Sequence, residues 1–172
     1  FTGAGLLRKT PADRYILNFR ASYAEETEAM IRGLIEDVGI KAEEIAFFTQ
    51  NDGYGDAGYN GAQKALTDIG YKKGKLLAHG RYTRNTVDVE EGLVTILDSL
   101  TPPKAIIMVG AYKPCAAFIK LAKEEGLEKC LFLNVSFVGS KALAKELGAL
   151  GDGVIVTQVV PHFDSNTPAA LE

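Results

Sequence analysis

The stretch IAFFTQNDGYGDAG, residues 45–58, indicates the fold of this chain more clearly than any other. Its apolar first part, 45–49, predicts a buried strand, and the amphipathic run from about 57 to 69 predicts a helix that ends at Gly70. The polar and aromatic segment 50–58 therefore lies on a turn at the carboxyl end of a strand. In open α/β sheets, small ligands bind at that position. We interpret the segment as part of a recognition surface rather than a reaction centre.

Strand and helix signals alternate along the rest of the chain in the same way. Nearly continuous apolar runs predict six strands, at 15–19, 45–49, 76–79, 105–109, 131–135 and 154–160. Helical spacing predicts five helices, which begin at Ser22 with a capping box to Glu25, near residue 57, near Thr86, at Pro114 and at Ser140. The pattern is typical of the α/β class, with a three-layer, doubly wound parallel sheet covered by helices on both faces.

Composition places the chain among ordinary globular proteins. It has 172 residues, of which 47% are hydrophobic and 24% charged, and its net charge is −3. This length allows one domain with a substantial core. The acidic balance does not supply the basic stripe that nucleic-acid binding needs, and no apolar run is long enough to span a membrane. Because the sequence begins without methionine and in a loop, we expect a piece of a longer protein.

Sequence motifs of enzymes are missing from the chain. There is no GxGxxG after the first predicted strand, no Walker A motif and no GxSxG elbow. Cys115 and Cys130 have neither a disulfide framework nor a metal-ligand spacing, so we interpret them as buried or half-buried thiols. His79 is interpreted as structural and His162 as part of a terminal connection, with no nucleophile beside either. We predict no cofactor and no metal site.

Polar and aromatic side chains follow the predicted strands, and in a parallel sheet the loops that carry them share one edge. The candidates for ligand contact are Arg20, Ser22, Tyr23, Gln50, Asn51, Asp52, Tyr54, Arg81, Tyr82, Arg84, Tyr112, Lys113, Ser136, Phe137 and His162. Helix N-terminal amides at this edge suit an anionic group such as a carboxylate. Other interpretations stay open: Tyr54 and Tyr112 as amphipathic surface residues, Asp52 as a turn or cap residue, and the arginines as solvated or paired groups.

Six stretches of the chain carry a family resemblance: FTGAGLLR at 1–8, NFRASYAEE at 18–26, QNDGYGDAG at 50–58, GRYTRNTVDVE at 80–90, VGAYKPCAAFIKLAKEEG at 109–126 and GVIVTQVVP at 153–161. In their order and spacing, the chain resembles the periplasmic solute-binding proteins of the leucine/isoleucine/valine-binding type. These are type I, two-lobed, extracytoplasmic receptors that serve ABC transporters. The resemblance implies that residues 15–160 form the second lobe, that 1–14 connect it from the first lobe and that 161–172 connect it back.

The resemblance also implies site residues. Tyr54 and Tyr112 match tyrosines that line the cleft between the lobes, and Tyr23 and Asp52 lie at the same predicted edge. Amino-acid binders of this family carry an acidic residue that holds the ligand ammonium, and Ser136 stands at that position here. A serine cannot form an ion pair with an ammonium. Either the ligand is not an ordinary branched-chain amino acid, or Asp52 or a residue outside this chain supplies the charge.

Together, the residues and the resemblance favour a binding module over an enzyme. We predict an extracytoplasmic, periplasmic-type solute-binding component of an ABC transporter, which holds an amino acid or related small carboxylate between two lobes. Its partner would be a membrane permease or a fused signalling domain, and not a nucleic acid. The alternative is a ligand-sensing domain of a signalling receptor or transcription regulator with the same fold. An enzyme of flavodoxin-like or Rossmann-like architecture is disfavoured, because the sequence contains no reactive constellation.

Overall fold

Five parallel strands form a sheet in the part of the chain that the structure describes. The structure is a computed structural model that describes residues 3–71 and 77–160. In these ranges the strands are β1 (Ile45–Gln50), β2 (His79–Tyr82), β3 (Ala105–Val109), β4 (Leu131–Asn134) and β5 (Val154–Val156). Their order in the sheet is β2-β1-β3-β4-β5, and every neighbouring pair is parallel. This doubly wound order confirms the predicted α/β class.

Helices cover both faces of the sheet, in the three layers that the sequence predicts. They are α1 (Tyr23–Arg32), α2 (Gly53–Asp68), α3 (Glu90–Leu97), α4 (Tyr112–Glu124) and α5 (Ser140–Leu147), and one π turn, Gly33–Asp37, extends α1. Side chains of α1 and α2 pack with Phe47 on one face, whereas those of α3, α4 and α5 pack with Phe48 on the other. Successive strand residues point to opposite faces, so the apolar run of β1 contributes to both cores.

Side-chain caps set the starts of two helices, α1 and α2. The capping box is confirmed: the Glu25 N–H donates to Ser22 Oγ at 3.2 Å, and the Ser22 N–H donates to Glu25 Oε2 at 2.6 Å. The start at Ser140 is also confirmed. Helix α2 begins four residues earlier than predicted because Asp52 caps it, α4 begins at Tyr112 rather than Pro114, and α3 begins at Glu90 rather than near Thr86.

The predicted strand at 15–19 is wrong. Its backbone turns instead, since the Ile16 N–H donates to the Asp13 carbonyl at 3.1 Å, and Tyr15, Leu17 and Phe19 are 86%, 92% and 71% exposed. An apolar run becomes a strand only where a neighbouring strand pairs with it, and segment 15–19 pairs with none of the five described strands.

Two other strand predictions are displaced. Residues 77–78 lie before β2, which begins at His79 and pairs through Tyr82 with the end of β1; residue 76 lies outside the described ranges. Strand β5 stops at Val156, opposite the last residue of β4, rather than at 160. The predicted return connection, 161–172, which includes His162, also lies outside the described residues. In the part of the chain that the structure describes, no helix combines the length and the apolar character that a bilayer crossing requires.

Glycines bring α2 close to its neighbours. A Cβ at Gly61 would lie 2.3 Å from Ala24 Cα, so the backbones of α1 and α2 approach directly there. One turn earlier, the Thr27 hydroxyl donates to the Gly58 carbonyl at 2.8 Å. This close packing fixes the N-terminus of α2, and with it Asp52 and Tyr54, against α1.

Candidate functional site

The carboxyl ends of β1 and β3 form the candidate site. The chain leaves β1 toward β2 on one side and returns to β3 on the other, so the strand order reverses between them. A pocket of about 580 Å³ opens at this edge, and its lining includes Gln50, Tyr82, Asn85, Asp88, Tyr112 and Lys113. Ligands of open α/β sheets bind in the crevice at such a switch point.

The floor of the pocket is a locked polar pair, Gln50 and Tyr82. Both are buried, at 8% and 2% exposure. The Tyr82 hydroxyl donates to Gln50 Oε1 at 2.9 Å and accepts from the Ala111 N–H at 3.0 Å. Burial raises the pKa of Tyr82, so the phenol keeps its proton and acts as a donor. These bonds tie the ends of three strands together under the pocket.

Asp52 lies behind this floor as the cap of α2. Its Oδ1 accepts from the N–H groups of Tyr54 at 3.0 Å and Gly55 at 3.4 Å, and its Oδ2 accepts from Gln50 Nε2 at 2.6 Å. Asp52 is therefore a helix cap, which is one of the interpretations that the sequence left open. Its carboxylate stabilises α2 and orients Gln50.

Tyr112 also lines the pocket, as the first residue of α4. It is half-buried, and Lys113 beside it is exposed. In the described part of the chain, no side chain caps the N-terminus of α4. The pocket therefore receives an aromatic ring, a lysine and the positive end of a helix from one element.

The other two predicted tyrosines form a second cluster with a phenylalanine. We call this cluster of Tyr23, Tyr54 and Phe137 the aromatic wall. Tyr54 lies edge-on to Tyr23 at 4.8 Å and to Phe137 at 5.4 Å between ring centroids. Its hydroxyl donates to the Gly110 carbonyl at 3.4 Å, and burial raises its pKa. Tyr23 is only 4% exposed, whereas Phe137 is 55% exposed. The wall therefore presents mainly the Phe137 ring to solvent.

Ser136, next to this wall, is bound to a residue that sequence reasoning missed. Its N–H and hydroxyl both donate to the carboxylate of Glu26, which is 3% exposed. Glu26 shares the buried face of α1 with Tyr23, Thr27 and Met30. A charged residue at a buried position of a helix is rare unless it is paired. The position of Glu26 on the apolar face of the predicted helix was therefore the sequence signal that could have identified it.

Two of the candidate arginines are paired within the fold. Arg20 forms an ion pair with Glu26 at 2.9 Å, with side chains 10% and 2% exposed. Arg81 forms one with Asp56 at 2.6 Å and donates to the Gln50 carbonyl at 2.9 Å. Both hold the frame of the site. The structure thus separates the predicted residues, with Tyr112 at the pocket, Asp52 behind its floor, and Tyr23, Tyr54 and Ser136 around the aromatic wall.

His79 lies at the start of β2 on the α2 side of the sheet. Its ring stacks on Tyr59 at 4.0 Å, and its Nε2 is 2.7 Å from the Thr49 hydroxyl. Burial and, to a smaller extent, the nearby charge of Arg81 lower the pKa of His79 to about 4, against an opposing effect of Asp56. The neutral ring is therefore the folded form near pH 7, as expected of a structural histidine.

This lowered pKa predicts a specific loss of stability in acid. The unfolded chain binds a proton at His79 below about pH 6.5, whereas the folded chain does so only near pH 4. The contribution of the neutral His79 ring to folding stability is therefore complete above about pH 6.5 and declines as the pH falls from about 6.5 to about 4. We expect the stability advantage of the wild type over His79→Gln to shrink by about 1 kcal/mol from pH 7 to pH 5, after allowance for partial solvent screening. Urea unfolding of both proteins at each pH measures it, and a constant difference would contradict the assignment.

The two thiols are buried, as the sequence predicts. Cys115 and Cys130 are 0% and 4% exposed, and neither forms a disulfide. Burial raises the pKa of Cys130 to about 12 and raises that of Cys115 as well. A thiol without thiolate character is a poor nucleophile, so both behave as small apolar core residues.

Comparison with known proteins adds a family. The family model described as periplasmic binding protein matches residues 1–172. The structure of a possible leucine/isoleucine/valine-binding protein from Rhodopirellula baltica SH 1 is similar, with 51% sequence identity and a TM-score of 0.90 over 98% of this chain and 44% of that chain. No curated protein matches the chain.

More distant structures share the fold. One is a substrate-binding periplasmic protein from Ralstonia solanacearum, at 24% identity and a TM-score of 0.79 over 99% of this chain and 45% of that chain. Another is a branched chain amino acid ABC transporter from Thermus thermophilus with bound valine, at 20% identity and a TM-score of 0.79 over 97% of this chain and 42% of that chain. The chain therefore spans less than half the length of each of these three solved structures.

Proposed function

Because this chain belongs to the periplasmic binding protein family, we propose that it is the second lobe of a two-lobed, extracytoplasmic solute receptor, with residues 1–14 and 161–172 as its connections to the first lobe. The observation that carries the proposal is the pocket at the β1/β3 switch point, with its locked floor of Gln50 and Tyr82. A rigid polar floor below an open pocket suits recognition of a small solute. Its role is binding and not catalysis.

The lining of the pocket favours a small carboxylate or amino acid as the ligand. Lys113 and the N-terminus of α4 supply positive charge for a carboxylate, and the ring of Tyr112 covers an apolar substituent. Asp88 also lines the pocket and supplies negative charge for an ammonium. This role passes to Asp88 because Asp52 caps α2 and Ser136 is bound to Glu26.

We further propose that the intact receptor delivers its ligand to an ABC permease or to a fused signalling domain. The two lobes would close on the ligand by a hinge motion, since each wall of the cleft supplies only part of the contacts. Tyr23, Tyr54, Asp52 and Ser136 support the wall of the cleft in this proposal, and Tyr112 contacts the ligand.

Calorimetry on the intact two-lobed protein tests the ligand class. The ligands are leucine and valine together with 4-methylpentanoate and 3-methylbutanoate, which lack the amino group. We expect Tyr112→Ala and Lys113→Gln each to weaken binding about tenfold or more, the usual effect of losing a buried ring or a charged hydrogen bond. Asp88→Asn should weaken binding of the amino acids but not of the two deaminated acids.

Lys120→Gln is the matched control, because Lys120 lies on the same helix, α4, but outside the pocket lining. It should leave all four affinities unchanged. Wild-type affinity in both Tyr112→Ala and Lys113→Gln would refute the assignment of the pocket.

A further inference from the structure

Glu26 is a buried carboxylate on which three distant parts of the chain meet. Its Oε1 accepts from Arg20 Nη2 at 2.9 Å and from Ser136 Oγ at 3.1 Å. Its Oε2 accepts from the Ser136 N–H at 2.7 Å and from Thr157 Oγ1 at 2.5 Å. A carboxylate has about four lone-pair positions, so these donors saturate it. A saturated carboxylate orients protein groups and has no oxygen left for a ligand.

We propose that Glu26 is a positioning residue, which holds the aromatic wall of the candidate site to the segments that precede α1 and follow β5. Glu26, Arg20, Ser136 and Thr157 are called the Glu26 network below. The network acts on a ligand only through the residues that it places. Glu26 is therefore distinct from the pocket residues Tyr112, Lys113 and Asp88.

The network reaches the aromatic wall from two sides. Ser136 is followed directly by Phe137, the exposed member of the wall, in the turn Ser136–Val138. Arg20 lies with its guanidinium carbon 5.7 Å from the centre of the Tyr23 ring, and its Nη2 also donates to Ser136 Oγ at 2.8 Å. A shift of the carboxylate would therefore move Phe137 and Tyr23 together.

The network also holds both flanking segments of the lobe. On the N-terminal side, the Arg8 guanidinium donates to the Arg20 carbonyl, and the Tyr23 N–H donates to the Gly3 carbonyl at 3.0 Å. On the C-terminal side, Thr157 follows β5, and its N–H donates to the Asn134 carbonyl at 3.0 Å. The chain therefore approaches α1 and leaves β5 at the same carboxylate.

This arrangement has a consequence for ligand binding that rests on the proposed function. If a second lobe moves about the segments before Arg20 and after Thr157, the Glu26 network transmits that motion to Phe137 and Tyr23. The orientation of the aromatic wall then depends on the angle between the lobes. The link within this chain does not depend on a ligand and is measured without one.

Amide hydrogen exchange on the intact protein, measured without ligand, tests the link. Thr157→Val keeps the shape of the side chain and removes one donor to Glu26. We expect exchange about tenfold faster at the Ser136 amide and at residues 20–22, the effect of one hydrogen bond to a charged group. Ser136→Ala should in turn speed exchange at 157–159. Faster exchange confined to the segment that carries the mutation, with wild-type rates at the other segments of the Glu26 network, would overturn the proposal.

Glu26→Gln removes the charge while keeping the volume of the side chain. It should speed exchange at residues 20–22, at Ser136 and at 157–159, and it should change the near-ultraviolet circular dichroism of the tyrosines. Glu28→Gln, on the same helix but paired with Arg32 at the surface, is the control and should change neither. The same response in both variants would also overturn the proposal. If the intact protein binds neither leucine nor 4-methylpentanoate, the proposed function fails, but the exchange result still decides the role of Glu26.

Discussion

Gly55→Ala should lower the free energy of unfolding by about 3 kcal/mol or more, the upper range for overpacking. A Cβ at this position would lie 1.9 Å from the Gln50 carbonyl oxygen and 2.9 Å from its carbonyl carbon. Both are backbone atoms of a buried strand end, so no side-chain rotation relieves the clash. The N-terminus of α2 must move away from β1, which also displaces the floor residue Gln50. Urea unfolding measures the loss.

Gly53→Ala is the matched control, two residues earlier in the first turn of the same helix. A Cβ at Gly53 meets no described atom within 4 Å. Alanine restricts the unfolded chain more than glycine does, so this change should be neutral or stabilising by up to about 1 kcal/mol. The two variants therefore have opposite expected signs. Equal destabilisation by both would mean that the approach of α2 to Gln50 does not contribute to stability.

These two glycines illustrate what the sequence could and could not predict. The stretch 45–69 predicts a strand, a turn and a helix, because apolar periodicity and turn residues act over a few positions. It does not distinguish Gly55, which touches a strand end, from Gly53, which faces open space. That difference depends on how closely α2 packs on β1, which is a property of the assembled sheet.

In the candidate site, too, the sequence predicts contacts between residues close in the chain but not contacts between distant residues. The Ser22–Glu25 capping box is a contact between residues three apart, and the sequence predicts it directly. The contacts of Glu26 with Ser136 and Thr157 span 110 and 131 residues, so no local pattern reveals them. The strand prediction at 15–19 was wrong for a related reason. A strand needs a partner strand, and a single apolar run does not specify one.

Removal of either member of the Glu26–Arg20 pair should destabilise the fold strongly. The pair is almost completely buried, with side chains 2% and 10% exposed. A buried charge that loses its partner costs about 3–5 kcal/mol, because the remaining charge has neither water nor a counter-ion. We expect Glu26→Gln and Arg20→Met each to lower the free energy of unfolding by about 3 kcal/mol or more. Urea unfolding of each variant measures it.

The double variant separates the pair from its surroundings. In Glu26→Gln/Arg20→Met no unpaired charge remains at the site, and the glutamine oxygen still accepts from the Ser136 N–H. Its cost should therefore stay close to that of one single variant rather than reach their sum, with a coupling energy of about 2–3 kcal/mol. Additive costs would mean that the two charges do not stabilise each other, and the Glu26 network would then depend on Ser136 and Thr157 alone. A large coupling would identify the ion pair as the part of the network that holds the start of α1 against the turn that carries Phe137.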